Sequence, residues 1–219
     1  NNVNQIYPVS REKKIFRKVH PNLFSSNLKY ITINQFFNNQ VKNTDCVFLC
    51  TKSKESSSLA EKLLKNKIKV IDLSSAFRFK KDKNFFRAFG YKKNNSLFKK
   101  YRVAYGLTEF NRDEIKSADL IANPGCYAIT AILSLAPILN QKFIENKNIL
   151  RIDALNGTTG AGNNPKINVT HANATEDILT YNADGHRHAP EIEEKINFFF
   201  NSKNKIDLNT AHGNFRRGI

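Results

Sequence analysis

Ile121-Ala122-Asn123-Pro124-Gly125-Cys126-Tyr127-Ala128-Ile129-Thr130 is the stretch on which the fold of this chain turns. It opens on a short apolar run that reads as a strand, and Asn-Pro-Gly is a turn signal. From Tyr127 to Leu139 apolar residues recur at helical spacing. Cys126 therefore falls between a strand and a helix, at or near the helix N-terminus. Unpaired N–H groups and the positive end of the helix dipole favour a thiolate over a thiol there. A free Cys is more often a small buried hydrophobe, and Cys46 and Cys50, set among apolar neighbours, read that way. Cys126 follows Pro-Gly and opens a helix, which makes it a candidate nucleophile.

Upstream, Asp45-Cys46-Val47-Phe48-Leu49-Cys50 is nearly all apolar, as a strand buried on both faces should be. Thr51 to Asn66 carries Leu59, Ala60, Leu63 and Leu64 at helical spacing, and Lys69-Val70-Ile71-Asp72-Leu73 is a strand again. Strand, helix and strand within about 30 residues form a crossover and imply a parallel sheet. Gln5 to Val9 and Lys29 to Ile33 read as shorter strands. Residues 80–101 read as an irregular Lys/Asn/Phe-rich excursion, and Arg112 to Ser117 as a short helix.

Ligands of such sheets lie beyond the carboxyl ends of the strands. Those ends are Ser10-Arg11, Cys50-Thr51 and Ser74-Ser75. Arg11 is either the partner of a ribose 2′-phosphate or a solvated surface residue. Arg78, close behind Ser74-Ser75, marks a second anion site that competes with a plain basic loop. The glycine-rich phosphate loop expected before such a strand is not in the sequence.

Downstream, Ile149 to Ala154 is a strand feeding Asn156-Gly157-Thr158-Thr159-Gly160-Ala161-Gly162. Glycine permits close backbone approach, so a phosphate or a nicotinamide ring could lie against Gly160, Ala161 and Gly162; a bare loop uses Gly as well. Then comes His186-Arg187-His188-Ala189-Pro190-Glu191, with Pro190 placed to open a helix. If the segment is extended, both imidazoles point to one face. Near a positive helix end an imidazole stays neutral and can accept a proton. Two His at i and i+2, without Cys, Asp or Glu at a matching spacing, make a weak metal site, and no metal is expected.

Length and composition frame these motifs. The 219 residues can bury a real core, and 40% hydrophobic with 25% charged residues is ordinary for a globular protein. No apolar run reaches the roughly 18 residues that a membrane helix needs. Three Cys at unrelated spacings make neither a disulfide framework nor a zinc site, and a reducing compartment is the natural reading. The net charge of +16 invites a nucleic-acid partner. Lysine, however, is spread over the whole chain, which reads as compositional drift rather than a binding motif, and no specific nucleic acid is expected. Met is absent, residue 1 is Asn and the chain stops at Gly218-Ile219, so the chain is expected to be a fragment.

An activated Cys, a His pair and a dinucleotide-type sheet point to one reaction. A thiolate attacks an acyl carbon to give a thioester, which hydride transfer reduces to an aldehyde. Cys suits both steps, because its thiolate is a strong nucleophile and its thioester is readily reduced. A base or acid must manage the protons, and N–H donors or cations must hold the oxyanion.

The chain resembles the N-acetyl-gamma-glutamyl-phosphate reductases of arginine biosynthesis. The segments that carry the resemblance are Val70-Ile71-Asp72-Leu73-Ser74, Phe77-Arg78, Tyr105-Gly106-Leu107, Asn111-Arg112, Asn123-Pro124-Gly125-Cys126-Tyr127, Gly160-Ala161-Gly162 and His186-Arg187-His188. Lys52-Ser53-Lys54 and Asn163 depart from the family pattern, and the family's glycine-rich loop and the segment after Gly218-Ile219 are not in the sequence, so by this resemblance the chain is expected to lack both ends and to be inactive alone.

The resemblance implies an α/β protein of the glyceraldehyde-phosphate/semialdehyde dehydrogenase type. A partial Rossmann-type parallel-sheet domain, residues 1–124, binds NADP and precedes an incomplete α+β mixed-sheet catalytic and oligomerisation domain, residues 125–219. It implies NADPH-dependent reduction of N-acetyl-gamma-glutamyl phosphate to the semialdehyde with release of phosphate, in a cytoplasmic homo-oligomer. Cys126 would be the nucleophile and His186 or His188 the acid/base. Ser10 and Arg11 would face the 2′-phosphate, with Cys50, Thr51, Ser75 and Gly160 to Gly162 along the cofactor. Arg78, Arg112 and Asn123 would contact substrate or phosphate. The alternatives are a related reductase of aspartyl or carrier-bound aminoadipyl phosphate, or an inactive binding protein that keeps the fold.

Overall fold

A computed structural model gives the fold and describes residues 3–11, 15–23, 27–93, 96–141, 143–145, 147–161, 167, 170–174, 177–182 and 184–217. Two short strands, β1 (Val9–Ser10) and β2 (Ile31–Thr32), pair in parallel, with α1 (Phe16–Val19) between them. Both are shorter than their apolar runs. At β2 the cause is local: Thr32 and Gln35 form a capping box that turns the chain directly into α2 (Ile33–Gln35).

The first main sheet is wholly parallel. It contains β3 (Cys46–Leu49), β4 (Lys69–Asp72), β5 (Val103–Tyr105) and β6 (Leu120–Ala122) in the order β3-β4-β6-β5. The crossover from β3 to β4 is α3 (Ser53–Lys65), which buries Ala60, Leu63 and Leu64 against Val70 and Leu120. Each buried Leu or Val side chain contributes about 1.5–3 kcal/mol.

β3 corrects the sequence reading. It is an edge strand with Phe48 64% exposed, not a strand covered on both faces. Cys46 and Cys50, which follows the strand, are accordingly not core residues, and both are exposed, as is Cys126 at the start of the later helix.

Residues 80–101 are not irregular either. They hold α4 (Asp82–Phe89) and α5 (Ser96–Lys100). Phe79, Phe85, Phe89 and Tyr91 pack edge to face there, so aromatic contacts order a segment that composition alone reads as a loop. Downstream of it, α6 (Thr108–Ser117) begins earlier than expected and kinks at Asn111, whose side chain donates to the Tyr105 carbonyl at 2.9 Å.

The second sheet is mixed. β7 (Ile149–Asn156) runs parallel to β9 (Lys205–His212), and β8 (Leu179–Tyr181) pairs antiparallel with β9. β9 was not anticipated, although Ile206, Leu208, Thr210 and His212 alternate with more exposed residues along it. Between β7 and β8 lies the short α8 (His171–Ala174). Two helices cover the sheet: α7 (Cys126–Asn140) and α9 (Ala189–Phe199). Their core joins Ala128, Ile132, Ile192, Ile196 and Leu208 to Tyr105 and Leu107 from the first sheet's side. This shared core sets α9 against the turn that ends β6. No helix among the described residues is long and apolar enough to cross a membrane.

Candidate active site

The nucleophile turn grows out of the parallel sheet. The Asn123 N–H donates to the Asp72 carbonyl at 2.9 Å and so extends the β4–β6 ladder by one residue. Pro124 then ends the strand. Gly125 is the N-cap of α7, with φ −69° and ψ 152°, and its carbonyl accepts the Ile129 N–H at 2.9 Å. No side chain caps this helix, so its first N–H groups stay open at the place where Cys126, the first helical residue, is exposed.

A buried ion pair holds the turn. The Arg78 Nε–H donates to the Asn123 carbonyl at 2.8 Å and Nη2 to the Leu73 carbonyl at 3.0 Å, while Nη1 lies 3.5 Å from Glu191 Oε2. Glu191 Oε1 accepts the Gly125 N–H at 3.0 Å and the Tyr105 hydroxyl at 2.9 Å. Glu191 is 1% exposed and Arg78 8%. Arg78, expected to contact substrate or phosphate, sits in this clamp. Its guanidinium is buried and committed to two carbonyls and a carboxylate, and it does not line the cleft described below. Asn123 enters the same clamp through its backbone, and its side-chain amide turns to the Pro124 carbonyl at 3.3 Å. Burial, then the adjoining Glu191 charge, pushes the Tyr105 phenol far above its usual range, so it remains a donor.

The His pair is not extended. Gly185, with φ +117°, turns the chain after β8, and His188 has helical angles (φ −81°, ψ −15°) as the N-cap of α9. The rings nevertheless meet, because the His188 N–H donates to His186 Nδ1 at 3.1 Å and their centroids are 4.8 Å apart. That bond assigns the His186 proton to Nε2. Burial, aided by Arg187, lowers the His186 pKa to about 4. Burial, then His186, Arg78 and Arg187, lowers His188 to about 3. Both are neutral at pH 7. His188 also touches the nucleophile turn: a Cβ placed on Gly125 would meet its Nε2 at 2.7 Å.

Cys126, His186, His188 and Gly160 open on one cleft of about 950 Å³. Sequence reasoning missed three other residues on its wall. Tyr127 and Tyr181 share a hydroxyl–hydroxyl hydrogen bond, and Tyr181 stacks on His212 at 4.3 Å. Burial foremost raises the Tyr127 pKa, keeping it a neutral hydroxyl, and burial lowers the pKa of His212. The only local signal for His212 was the alternation of β9.

Gly160 sits in a 3-10 turn (Thr158–Ala161), where an added Cβ would meet the Asn156 side-chain amide. The turn is tied to the end of the chain, where the Thr158 N–H donates to the Phe215 carbonyl and the Thr159 N–H to the Arg216 carbonyl. Ala161 ends the same turn, and Gly162 lies outside the described residues.

The expected cofactor residues gather at the carboxyl ends of β1, β3 and β4, apart from Gly160 and Ala161. Ser75 Oγ hydrogen-bonds Ser53 Oγ at 2.8 Å, and Thr51 Oγ1 hydrogen-bonds Ser56 Oγ at 2.9 Å. Cys50 is exposed beside them, and Ser10 ends β1. Arg11 pairs with Glu55 in the first turn of α3, with Nε 2.7 Å from Oε1. Arg112 is exposed on α6 and does not line the cleft. Among the described residues no group of three or more His, Cys, Asp and Glu could hold a metal ion.

Comparison with known proteins matches this arrangement. The family model for the semialdehyde dehydrogenase NAD binding domain matches residues 1–118, and that for the semialdehyde dehydrogenase dimerisation domain matches residues 126–219. An N-acetyl-gamma-glutamyl-phosphate reductase of Halalkalibacterium halodurans is 37% identical over 223 residues, covering 100% of this chain and 63% of that protein. One from Lachnoclostridium phytofermentans is 36% identical over 184 residues, covering 84% of this chain and 50% of that protein. The chain thus spans about half the length of the curated relatives it matches, from 47% to 63%. Among solved structures, aspartate semialdehyde dehydrogenase II from Vibrio cholerae complexed with ASA aligns with a TM-score of 0.65 at 15% identity, over 98% of this chain and 63% of that one. Aspartate semialdehyde dehydrogenase with NADP from Candida albicans aligns at 0.53 and 11% identity, over 78% and 47%. These likenesses establish the shared fold. Two family models laid end to end over a parallel sheet and then a mixed one leave a single assignment: this chain belongs to the semialdehyde dehydrogenase family.

Proposed function

We propose that the complete protein carrying this chain reduces an acyl phosphate, N-acetyl-gamma-glutamyl phosphate, to its semialdehyde through a thioester on Cys126. The observation that carries this reading is an exposed Cys126 at an uncapped helix N-terminus, in one cleft with two neutral imidazoles. The names of the curated relatives support the choice of acyl group.

The Cys126 thiolate attacks the acyl carbon, the C–O bond to phosphate breaks, and phosphate departs. The open N–H groups of the first turn of α7 face the carbonyl oxygen as it takes on charge. His186 donates through Nε2–H to the same oxygen or to the departing phosphate, and a neutral imidazole of the pair takes the thiol proton. NADPH, held by the residues described below, would supply the hydride that reduces the thioester to the aldehyde, and Cys126 would be the leaving group that returns as the thiolate. Tyr127 and Tyr181 keep neutral hydroxyls at the cleft wall, suited to hold oxygen atoms of the substrate.

The donor set fits the cofactor. Hydroxyls of Ser10, Thr51 and Ser75 and the cation of Arg11 gather at the carboxyl ends of parallel strands, and Gly160 lines the cleft beside Cys126. Arg11 would meet a 2′-phosphate after exchanging its Glu55 partner. We retain a division at residues 124/125 and read the second unit as the one through which copies associate, in keeping with the dimerisation-domain match. A reducing, cytoplasmic setting keeps Cys126 out of disulfides.

The test is NADPH oxidation by the complete protein with N-acetyl-gamma-glutamyl phosphate, beta-aspartyl phosphate and an aminoadipyl phosphate in parallel. Turnover with the first, at least about tenfold above the others in kcat/KM, is the expected result. Turnover with none of them overturns the reading.

A further inference from the structure

The Arg78–Glu191 pair grips the nucleophile turn on both sides of Pro124. Arg78 holds the carbonyl of Asn123, just before the proline, and Glu191 holds the N–H of Gly125, just after it. Both side chains are buried, and Glu191 has a further fixed donor in the Tyr105 hydroxyl. Glu191 stands three residues after His188, so the first turn of α9 carries both. One turn of helix therefore presents the imidazole to Gly125 and the carboxylate to the N–H of the same glycine.

We propose that Glu191 is a positioning residue: its bond to the Gly125 N–H, braced by Arg78, locks the turn before Cys126 in register with His188. Glu191 does not line the cleft, so it acts through the turn and not on substrate. The physical argument is one of placement. Cys126 is uncapped and exposed, and its only neighbour on the N-terminal side is a glycine with no side chain to wedge it. The turn must be held by its backbone. Two of its backbone polar groups are bound by side chains, and both side chains belong to one ion pair. The carboxylate has a geometric requirement that a shorter acid cannot meet, because it reaches three groups from one helix position.

The inference rests on the reading of Cys126 as nucleophile, and its test separates the two. In the complete protein, Glu191→Asp, Glu191→Gln and Tyr105→Phe are compared with wild type. Three quantities are read: kcat and KM for the acyl phosphate, the iodoacetamide alkylation rate of Cys126 relative to Cys46 in the same sample, and the melting temperature.

Glu191→Asp retracts the carboxylate and is expected to lower kcat about 10–100-fold with KM within about threefold. Glu191→Gln keeps an oxygen at the same reach and recovers part of that loss. The Cys126/Cys46 alkylation ratio should change in the same order. Tyr105→Phe removes one brace only, and supplies the same readouts at smaller amplitude if the Glu191 variants do not fold. Variants that melt lower but retain wild-type kcat and alkylation ratio overturn the proposal, leaving Glu191 a packing residue. If wild type does not reduce the acyl phosphate, the functional reading fails, while the alkylation ratio still decides the role of Glu191.

Discussion

The backbone N–H of His188 donates to the Nδ1 of His186, and the two rings meet edge to face 4.8 Å apart. The bond asks Nδ1 of His186 to be an acceptor, which only the neutral ring provides with its proton on Nε2. Protonation of either ring in this buried pair brings like charges together beside Arg187 and, for His188, Arg78. The pair is therefore neutral at rest.

Stability should register that preference. The folded pKa values, about 4 for His186 and about 3 for His188, lie below the unfolded value of about 6.5. As pH falls through about 6.5 the unfolded chain takes up protons that the folded chain does not, so stability drops until about pH 4 for the His186 share and about pH 3 for the His188 share. Melting temperature measured from pH 7.5 to 4 should decline over that window, and His188→Asn should flatten the decline. A pH-independent melting temperature in wild type would contradict it.

Replacing Cys126 by Ser is expected to lower turnover by at least about a thousandfold while leaving the melting temperature within a few degrees, since the side chain is exposed. Exposure alone cannot distinguish the three thiols, because Cys46 and Cys50 are exposed too. Rates can. Partial burial pushes the Cys46 thiol up, against the pull of Lys69, so alkylation near pH 8 followed by peptide mapping should find Cys126 modified faster than Cys46.

Gly125→Ala tests the contact between turn and imidazole. The backbone at φ −69° accepts alanine, so any effect is steric and not conformational. A Cβ there meets His188 Nε2 at 2.7 Å and Arg78 Nη1 at 2.8 Å. A cost of about 1–3 kcal/mol in denaturant unfolding is expected, together with a fall in kcat larger than that stability loss explains.

Glu194 anchors α9 to the α4 region. It accepts the Lys80 N–H at 2.6 Å, the Lys81 N–H at 3.2 Å and the Asn84 amide at 3.0 Å, and pairs with buried Lys195 at 2.9 Å. Glu194→Ala strands a buried ammonium and three donors, and should destabilise by about 3–5 kcal/mol. Urea unfolding measures it; a loss under about 1 kcal/mol would mean that water replaces the carboxylate.

The motif at Asn123 to Cys126 was legible because everything that makes it a turn is local. Proline stops the strand, glycine needs no room for a side chain, and the apolar spacing after Cys126 continues as α7. The α3 crossover and the proline in the first turn of α9 were readable for the same reason. The cleft was only half legible. Its two histidines announce themselves within three residues, whereas Tyr181 and His212 reach it from β8 and β9, whose pairing is a long-range event.

What the sequence left unread has the same origin. The partner of Arg78 is Glu191, 113 residues away, and no local pattern announces that pair. The run at Cys46 to Leu49 reads as covered on both faces until the strand order puts it at an edge. By itself, then, the sequence determined which segments are helix, strand and turn wherever hydrogen bonds close within a few residues, and hence where Cys126 stands. Tertiary structure alone decided what each charge faces and which surfaces are buried, because partners distant in the chain meet only once the sheets have packed on α9.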